Sequence, residues 1–509
     1  METIAIDGRH LTLEMLERVA SGQAEVSLEP SARRRVAAAR EALVGLLRRG
    51  DTVYGANTGF GLMSDVRIPD DQIDRLQVNL IRSHCAGVGE PLGLAVTRVM
   101  MLLRANVLAS GHSAVRVELV EALLDLLNAG VVPVIPSRGS VGASGDLTPL
   151  AHLASVLMGE GEAFYDMDRL PAAEALSKAG LRPFRLASRE GLALVNGTQA
   201  MTALGALSLL EAERLMTQAD VAGAMTIDGL LGSTRPFDDR LAALRPHPGH
   251  VACASNVRML MEGSEILASH KACGRVQDSY SLRCIPQVHG ASRDALSFVR
   301  RCLETEINAV TDNPIFYADT GEALPGGNFH GAPVAQAMDF LCIAITDAGS
   351  ISERRTERLT NPALSGLPAF LAKSPGLESG LMMAQVTAAA LTAENKTLSH
   401  PASVDSIPTG AGKEDHVSMG VTAALKAARV VEHLESILAI ELMAAAEAIE
   451  MRRPLRSSPA LEAVHDRIRS EVPPLDTDRA LDGDIAAIAR MLREGAIRRA
   501  AESVTGSLQ

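Results

Sequence analysis

A mainly α-helical protein is the fold class this sequence predicts, and three observations carry the prediction. Aromatic residues are scarce, with no Trp, nine Phe and four Tyr in 509 residues. An apolar set rich in Ala, Leu, Val and Met fills helix interfaces more readily than a β-sandwich core. Residues 95–128, 332–358 and 419–451 repeat apolar side chains at the three- and four-residue spacing of a buried helix face. β signals, by contrast, are confined to VSLEP (26–30) and VPVIPS (132–137).

Taken in order, the 95–128 segment reads as helix with its expected break at Gly111. After VPVIPS comes GSVGASGDLTPLAH (Gly139 to His152), a glycine-rich loop that runs into a helix expected over Leu147 to Met158. Asp146 stands at its N-cap, and Pro149 is tolerated in the first turn. HPGH (His247 to His250) reads as a surface turn, because Pro and Gly separate its imidazoles and no acid or thiol stands nearby. The 419–451 repeat predicts one long helix of about 30 residues, and a last helix is expected between Asp482 and Ala501. No tandem repeat or low-complexity linker divides the chain.

Composition excludes several functions. The length supports a large core without disulfide or metal staples. A net charge of -12 leaves no basic footprint for nucleic acid or anionic membrane. The start shows no secretory signal, and no apolar run approaches the roughly 18 residues of a membrane span. Cys85, Cys253, Cys273, Cys284, Cys302 and Cys342 form no CxxC pair and read as reduced thiols, mostly core filler, in a cytoplasmic protein. PTGAGKEDH (Pro408 to His416) is not a phosphate loop, since Ile407 replaces the first glycine and Glu414 the magnesium-binding hydroxyl. GASGD is not a nucleophile elbow, because its fifth residue is Asp146. No metal motif is present.

The loop around Ala143-Ser144-Gly145 is stripped of side chains beyond what a cap requires. A backbone amide attacks a nearby carbonyl only in a compressed turn, and Gly145 is the residue that permits one. Loss of water from that ring and from Ser144 leaves a methylene conjugated to an imidazolone, an electrophile made from backbone alone. At this point the sequence resembles the aromatic amino acid ammonia-lyases, which build a methylidene-imidazolone (MIO) from Ala-Ser-Gly. VYGANTGFG (53–61), LVNGTQ (194–199), QDSYSLRCIPQVHG (277–290), TDNPIF (311–316) and GGNFHG (326–331) match the family in its order. The resemblance covers residues 5 to 500, approximately.

That resemblance implies an N-terminal domain over 1–110 and an MIO-bearing loop with a long helical bundle of the fumarase/aspartase-like type over 111–509. It also implies a homotetramer with shared active sites, and no cofactor besides MIO. Tyr54 is implied as the base and Tyr280 as a neighbour of the prosthetic group. A free phenol titrates near about 10, so a tyrosine base needs that value lowered. Arg283 is implied as the clamp on the substrate carboxylate, a match of guanidinium fork to two oxygens. Asn196 and Gln277 would hydrogen-bond the substrate or the MIO carbonyl, and Phe329 would pack on the ring system. MIO would act as an electrophile on either the amine or the ring of the substrate. Tyr165 and Tyr317 read as core packing, and His416 as a bland neighbour.

The substrate branch is read from two positions. Ser83-His84 before AGVGEP and Glu414 in the late loop resemble the histidine-deaminating branch, where the phenylalanine branch has Phe-Leu and an uncharged amide. An imidazole offers one donor and one acceptor, which a His and a carboxylate satisfy. Thr148 and Lys413 depart from the pattern of many histidine enzymes. The expectation is conversion of L-histidine to trans-urocanate and ammonia. A phenylalanine or tyrosine lyase and an MIO-dependent aminomutase are the alternatives, with an inactive helical scaffold beyond them.

Overall fold

A computed structural model describes residues 2–271 and 273–509. The fold is helical, with short two- and three-stranded sheets, as the composition predicts. Two compact units make up the chain. One comprises Met1–Leu207, Arg300–Asp339 and Pro401–Leu425; the other comprises Ser208–Val299, Phe340–His400 and Lys426–Gln509.

In the first unit, Glu2–Ile6 pairs in parallel with Ala24–Leu28, so VSLEP lies largely in a strand. The helix Leu94–Ala109 is buried from Val99 onward on every face, including Arg104 and Asn106. It ends where expected. Gly111 has φ +87°, and a Cβ there would lie 2.8 Å from the Arg35 Cβ. The helix Val117–Asn128 follows. Beneath VYGANTGFG, Val53 and Ala56 pack into a core cluster with Ala39, Leu43, Ala114 and Phe316.

Asp146 corrects one expectation. It precedes the helix Leu147–Leu157 but makes no side-chain cap there. Its Oδ2 instead accepts from the Ala200 and Met201 N–H groups, at 2.8 and 2.9 Å. Those are orphan donors in the first turn of the helix Gln199–Gly229. The carboxylate therefore caps a helix more than fifty residues away in sequence. Tyr317 is a second correction. It lies in the hairpin Ile315–Tyr317/Glu322–Leu324, half exposed and edge-on to His112, rather than in the core.

In the second unit, HPGH proves not to be a turn. His247 precedes the helix Pro248–Met261, with Pro248 in the first turn, and His250 is buried. The long helices expected late in the chain run over Ala332–Thr360 and Gly420–Glu450. The last expected helix is two, Asp482–Arg493 and Ala496–Thr505, interrupted at Gly495 with φ +69°. One helix, Ala332–Thr360, is long and apolar enough by length and composition to cross a membrane, although 56% of its apolar window is buried inside the protein. The cysteines are less uniformly core than expected: none of the six is in a disulfide, yet only Cys253 and Cys342 are buried, and Cys273 is exposed.

Candidate active site

The glycine-rich loop is compressed as the chemistry requires. Gly145 has φ +78°, and a Cβ on it would lie 2.2 Å from the Gly197 carbonyl oxygen, so only glycine fits. The Asp146 N–H donates to that same oxygen at 2.7 Å. Ser140 Oγ accepts from the Gly142 N–H at 3.1 Å and stands 3.3 Å from Asp146 Oδ1. From the other side, the Met419 N–H donates to the Val141 carbonyl at 2.9 Å and Ser418 Oγ donates to the Gly142 carbonyl at 3.2 Å. The tripeptide is thus gripped by LVNGTQ and by the segment before the helix Gly420–Glu450.

Two side chains meet Ser144. Its hydroxyl donates to Glu414 Oε1 at 2.9 Å, and Asn196 Nδ2 donates to its carbonyl oxygen, also at 2.9 Å. Glu414 Oε2 accepts from Thr409 Oγ1 at 2.7 Å, within a turn closed by Thr409 and Glu414 backbone pairing. Asn196 Oδ1 is buried without a protein partner. Burial pushes the Asp146 carboxyl up to about 7, against the hydrogen bonds from Met201, Ala200 and Ser140.

His84 ends the helix Ile73–His84, and its Nδ1 lies 2.8 Å from the Leu80 carbonyl. That contact makes Nδ1 the donor and leaves Nε2 as an acceptor. Burial lowers its pKa, with the Leu80 bond and the charge of Glu414 opposing, so the neutral ring is favoured. Tyr54 is half-buried and its hydroxyl oxygen accepts from the Gly61 N–H at 3.4 Å. The turn beneath it is fixed by Asn57, which joins the Val53 N–H and the Asp51 carbonyl, and by Gly55, where a Cβ would strike Leu192. Phe329 is half-buried just ahead of the helix Ala332–Thr360.

Gln277, Tyr280 and Arg283 belong to the second unit. Gln277 is exposed, Tyr280 is 70% exposed, and the Arg283 guanidinium stacks 4.5 Å from the Tyr280 ring centroid. Arg283 Nε is buried without a hydrogen bond. Sequence reasoning missed Thr409, Ser418 and Gly197, although each sits inside or beside a motif already singled out. It also missed Arg104, whose only signal is a charge in the middle of an apolar helix.

In a helical protein, a carboxylate thus sits on the serine hydroxyl, an amide on the serine carbonyl and a glycine is pressed against backbone. The chain belongs to the aromatic amino acid lyase family, whose model matches residues 11–470. It is 56% identical to a histidine ammonia-lyase of Anaeromyxobacter dehalogenans strain 2CP-C, covering 98% of this chain and all of that one. Among solved structures it resembles a histidine ammonia-lyase from Trypanosoma cruzi, with a TM-score of 0.92 and 44% identity over 99% of this chain and 96% of that one. It also resembles a tyrosine aminomutase from Streptomyces globisporus, with a TM-score of 0.94 and 40% identity over the whole of both chains.

Proposed function

We propose that the protein deaminates L-histidine to trans-urocanate and ammonia, using an MIO group formed in place from Ala143-Ser144-Gly145. The reading is carried by Ser144, whose hydroxyl is held by Glu414 and whose carbonyl is held by Asn196. The residues fit the group. Gly145 admits no Cβ, Ala143 is buried, and the serine oxygen to be lost already rests on a carboxylate. When formed, MIO supplies an electrophilic methylidene carbon.

The remaining chemistry falls to the side chains. Asn196 Nδ2 stands at the Ser144 carbonyl oxygen, where a fixed donor stabilises negative charge. Loss of the serine hydroxyl frees Glu414 Oε1 to face substrate, while Thr409 keeps Oε2 in place. His84 Nε2 offers a second acceptor, so in place of the expected donor-and-acceptor match the pocket presents two acceptors, which the two N–H groups of a protonated imidazole satisfy. A phenyl ring would leave both groups unpaired, a cost of several kcal/mol. Tyr54 is the proposed base for the β-proton, its hydroxyl oxygen placed by the Gly61 N–H at 3.4 Å. Arg283 is the proposed clamp for the substrate carboxylate, beside Gln277 and Tyr280, with Phe329 packed against the ring system.

The exposure of Tyr280 and Gln277 in a single chain supports sites completed between subunits of a homotetramer. Exposed apolar side chains on the second unit support the same assembly. Phe298 and Phe340 touch at 5.4 Å between centroids, and Ile343, Met383 and Val386 are also exposed. Six cysteines outside any disulfide fit a cytoplasmic setting.

The likeness to a tyrosine aminomutase favours, as a second reading, return of ammonia to the β-carbon. Supplying L-histidine, L-phenylalanine and L-tyrosine separately and identifying each product decides between them. Urocanate from histidine alone is expected. A β-amino acid from histidine would sink the simple lyase, and cinnamate or coumarate as the main product would move the substrate assignment to another branch.

A further inference from the structure

Arg104 is fully buried in the helix Leu94–Ala109, and among the described residues no carboxylate hydrogen-bonds to it. The nearby Asp312 is joined instead to Arg189 at 2.8 Å. Arg104 spends one nitrogen on two neutral acceptors: Nη1 donates to the Asn196 backbone carbonyl at 2.7 Å and to Gln199 Oε1 at 3.0 Å. Its Nε and Nη2 have no protein partner. Burial drives its pKa down to about 10, with Asp312 opposing. An uncompensated buried cation is expensive, and an apolar side chain of similar volume serves packing alone at least as well.

What distinguishes the position is where the two acceptors lie. Asn196 carries the amide that donates to the Ser144 carbonyl, and Gln199 follows two residues behind Gly197. Gly197 is sandwiched. A Cβ there would lie 2.7 Å from Arg104 Nη1 and 2.9 Å from Thr311 Oγ1, while its carbonyl oxygen is the atom against which Gly145 is pressed. Gln199 is itself tied to Thr311 Oγ1 at 2.8 Å. The guanidinium thus backs the two contacts, Asn196 to Ser144 and Gly197 to Gly145, that shape the tripeptide.

We infer that Arg104 is a positioning residue for MIO formation, holding Asn196 and Gly197 from behind so that the Ala143-Ser144-Gly145 turn stays compressed enough to close. This rests on the reading that MIO forms here. In the step concerned, the Gly145 nitrogen bonds to the Ala143 carbonyl carbon, whose oxygen leaves as water with the Gly145 and Ser144 amide hydrogens, while a C=N bond forms to the Ser144 nitrogen. Ser144 then loses its hydroxyl and α-hydrogen as a second water. No oxidant or reductant enters. Arg104 touches none of these atoms and acts through Asn196 and Gly197.

The test is the intact mass of the purified full-length chain, read beside its melting temperature, for wild type, Arg104→Met and Arg104→Lys. Wild type is expected to lack the mass of two waters. Arg104→Met, with volume kept and charge lost, is expected to fold and to show a mature fraction reduced roughly tenfold or more, the order seen when a supporting contact behind a site is removed. Arg104→Lys, which keeps the charge without the fork, is expected to recover part of that fraction. A folded Arg104→Met that loses both waters as fully as wild type overturns the inference. If Arg104→Met fails to fold, complete maturation of Arg104→Lys at the wild-type rate overturns it equally. A wild-type chain with no water loss would instead sink the MIO reading, and this inference with it.

Discussion

Glu414 is held at both oxygens, by the Ser144 hydroxyl and by Thr409. The sequence made it a candidate because a charge replaces an amide in a pocket motif, but nothing in the spacing showed that Thr409 would orient it. Its two bonds separate two roles. A glutamine still accepts from Ser144, so Glu414→Gln is expected to lose the two waters normally. It binds an imidazole N–H without the charge of a carboxylate, and kcat/KM for L-histidine is expected to fall roughly tenfold or more. Mass spectrometry and steady-state kinetics on one preparation check both halves; an unchanged kcat/KM would remove Glu414 from substrate binding. Asp146 shows the limit of local reading at this scale. A residue between a loop and a helix looks like that helix's cap, and only tertiary structure reveals that its oxygen reaches Ala200 and Met201.

Among elements, the long apolar helices were legible because burial imposes a period that a sequence displays. The hairpin Glu162–Tyr165/Asp168–Pro171 was not, since its turn uses Asp166 and Met167 at φ +50° and +69° instead of an Asn-Gly pair. Nor was the register of the second unit's helices, which a buried polar network specifies. Asp220 joins Arg293 at 2.6 Å, His289 Nδ1 at 2.7 Å and Asn256 at 2.9 Å, and Cys253 donates its thiol to it at 3.0 Å. Asp220, Cys253 and His289 converge within 4.8 Å, but Arg293 beside them already matches the carboxylate charge, so the group reads as a structural network and not a metal centre. Burial pushes Asp220 up, yet Arg293 and His289 outweigh it and hold the carboxyl below its usual range. Nearby, Arg355 forks onto Glu441 at 2.5 and 2.7 Å. Removing one partner strands a buried charge, so Arg355→Met or Glu441→Leu alone is expected to cost about 3–5 kcal/mol. The double substitution should recover much of that loss in denaturant titrations, and strict additivity would contradict the account.

Asp146 extends the argument to pH. Its folded pKa of about 7 lies above the usual 3.8, so the native state binds the extra proton between those values. Stability from this group is therefore greatest below pH about 4 and declines as pH rises toward about 7. Asp146→Asn keeps an acceptor for the helix Gln199–Gly229 and should flatten that part of the stability profile. An unaltered slope would show that the group titrates normally.

Over the whole molecule, a chain with net charge -12 still exposes Phe298, Phe340, Ile343, Met383 and Val386 on long helices. Helical periodicity foretold the helix that carries Phe340 and Ile343 but not Ile285–Glu306 or Met382–Leu398, and it does not say which apolar positions remain uncovered by the same chain. If subunits cover them, Phe340→Asp with Ile343→Asp is expected to shift the sedimenting species below tetramer and to reduce activity with it. A variant that stays tetrameric would place the interface elsewhere. The Ser144 site was legible from its small residues, and Asn196 and Glu414 from the motifs of the resemblance, whereas the press of Gly197 and the hold of Thr409 were not, because they come to it from distant segments.

The central claim is that Ser144 yields an electrophile acting on an imidazole substrate. The most direct measurement mixes purified protein with L-histidine and follows the near-ultraviolet absorbance of urocanate, with Ser144→Ala alongside. A rise with intact Ser144 that is abolished in the alanine variant is the predicted result. Equal rates in the two proteins, or no urocanate from a chain that has lost both waters, would contradict it.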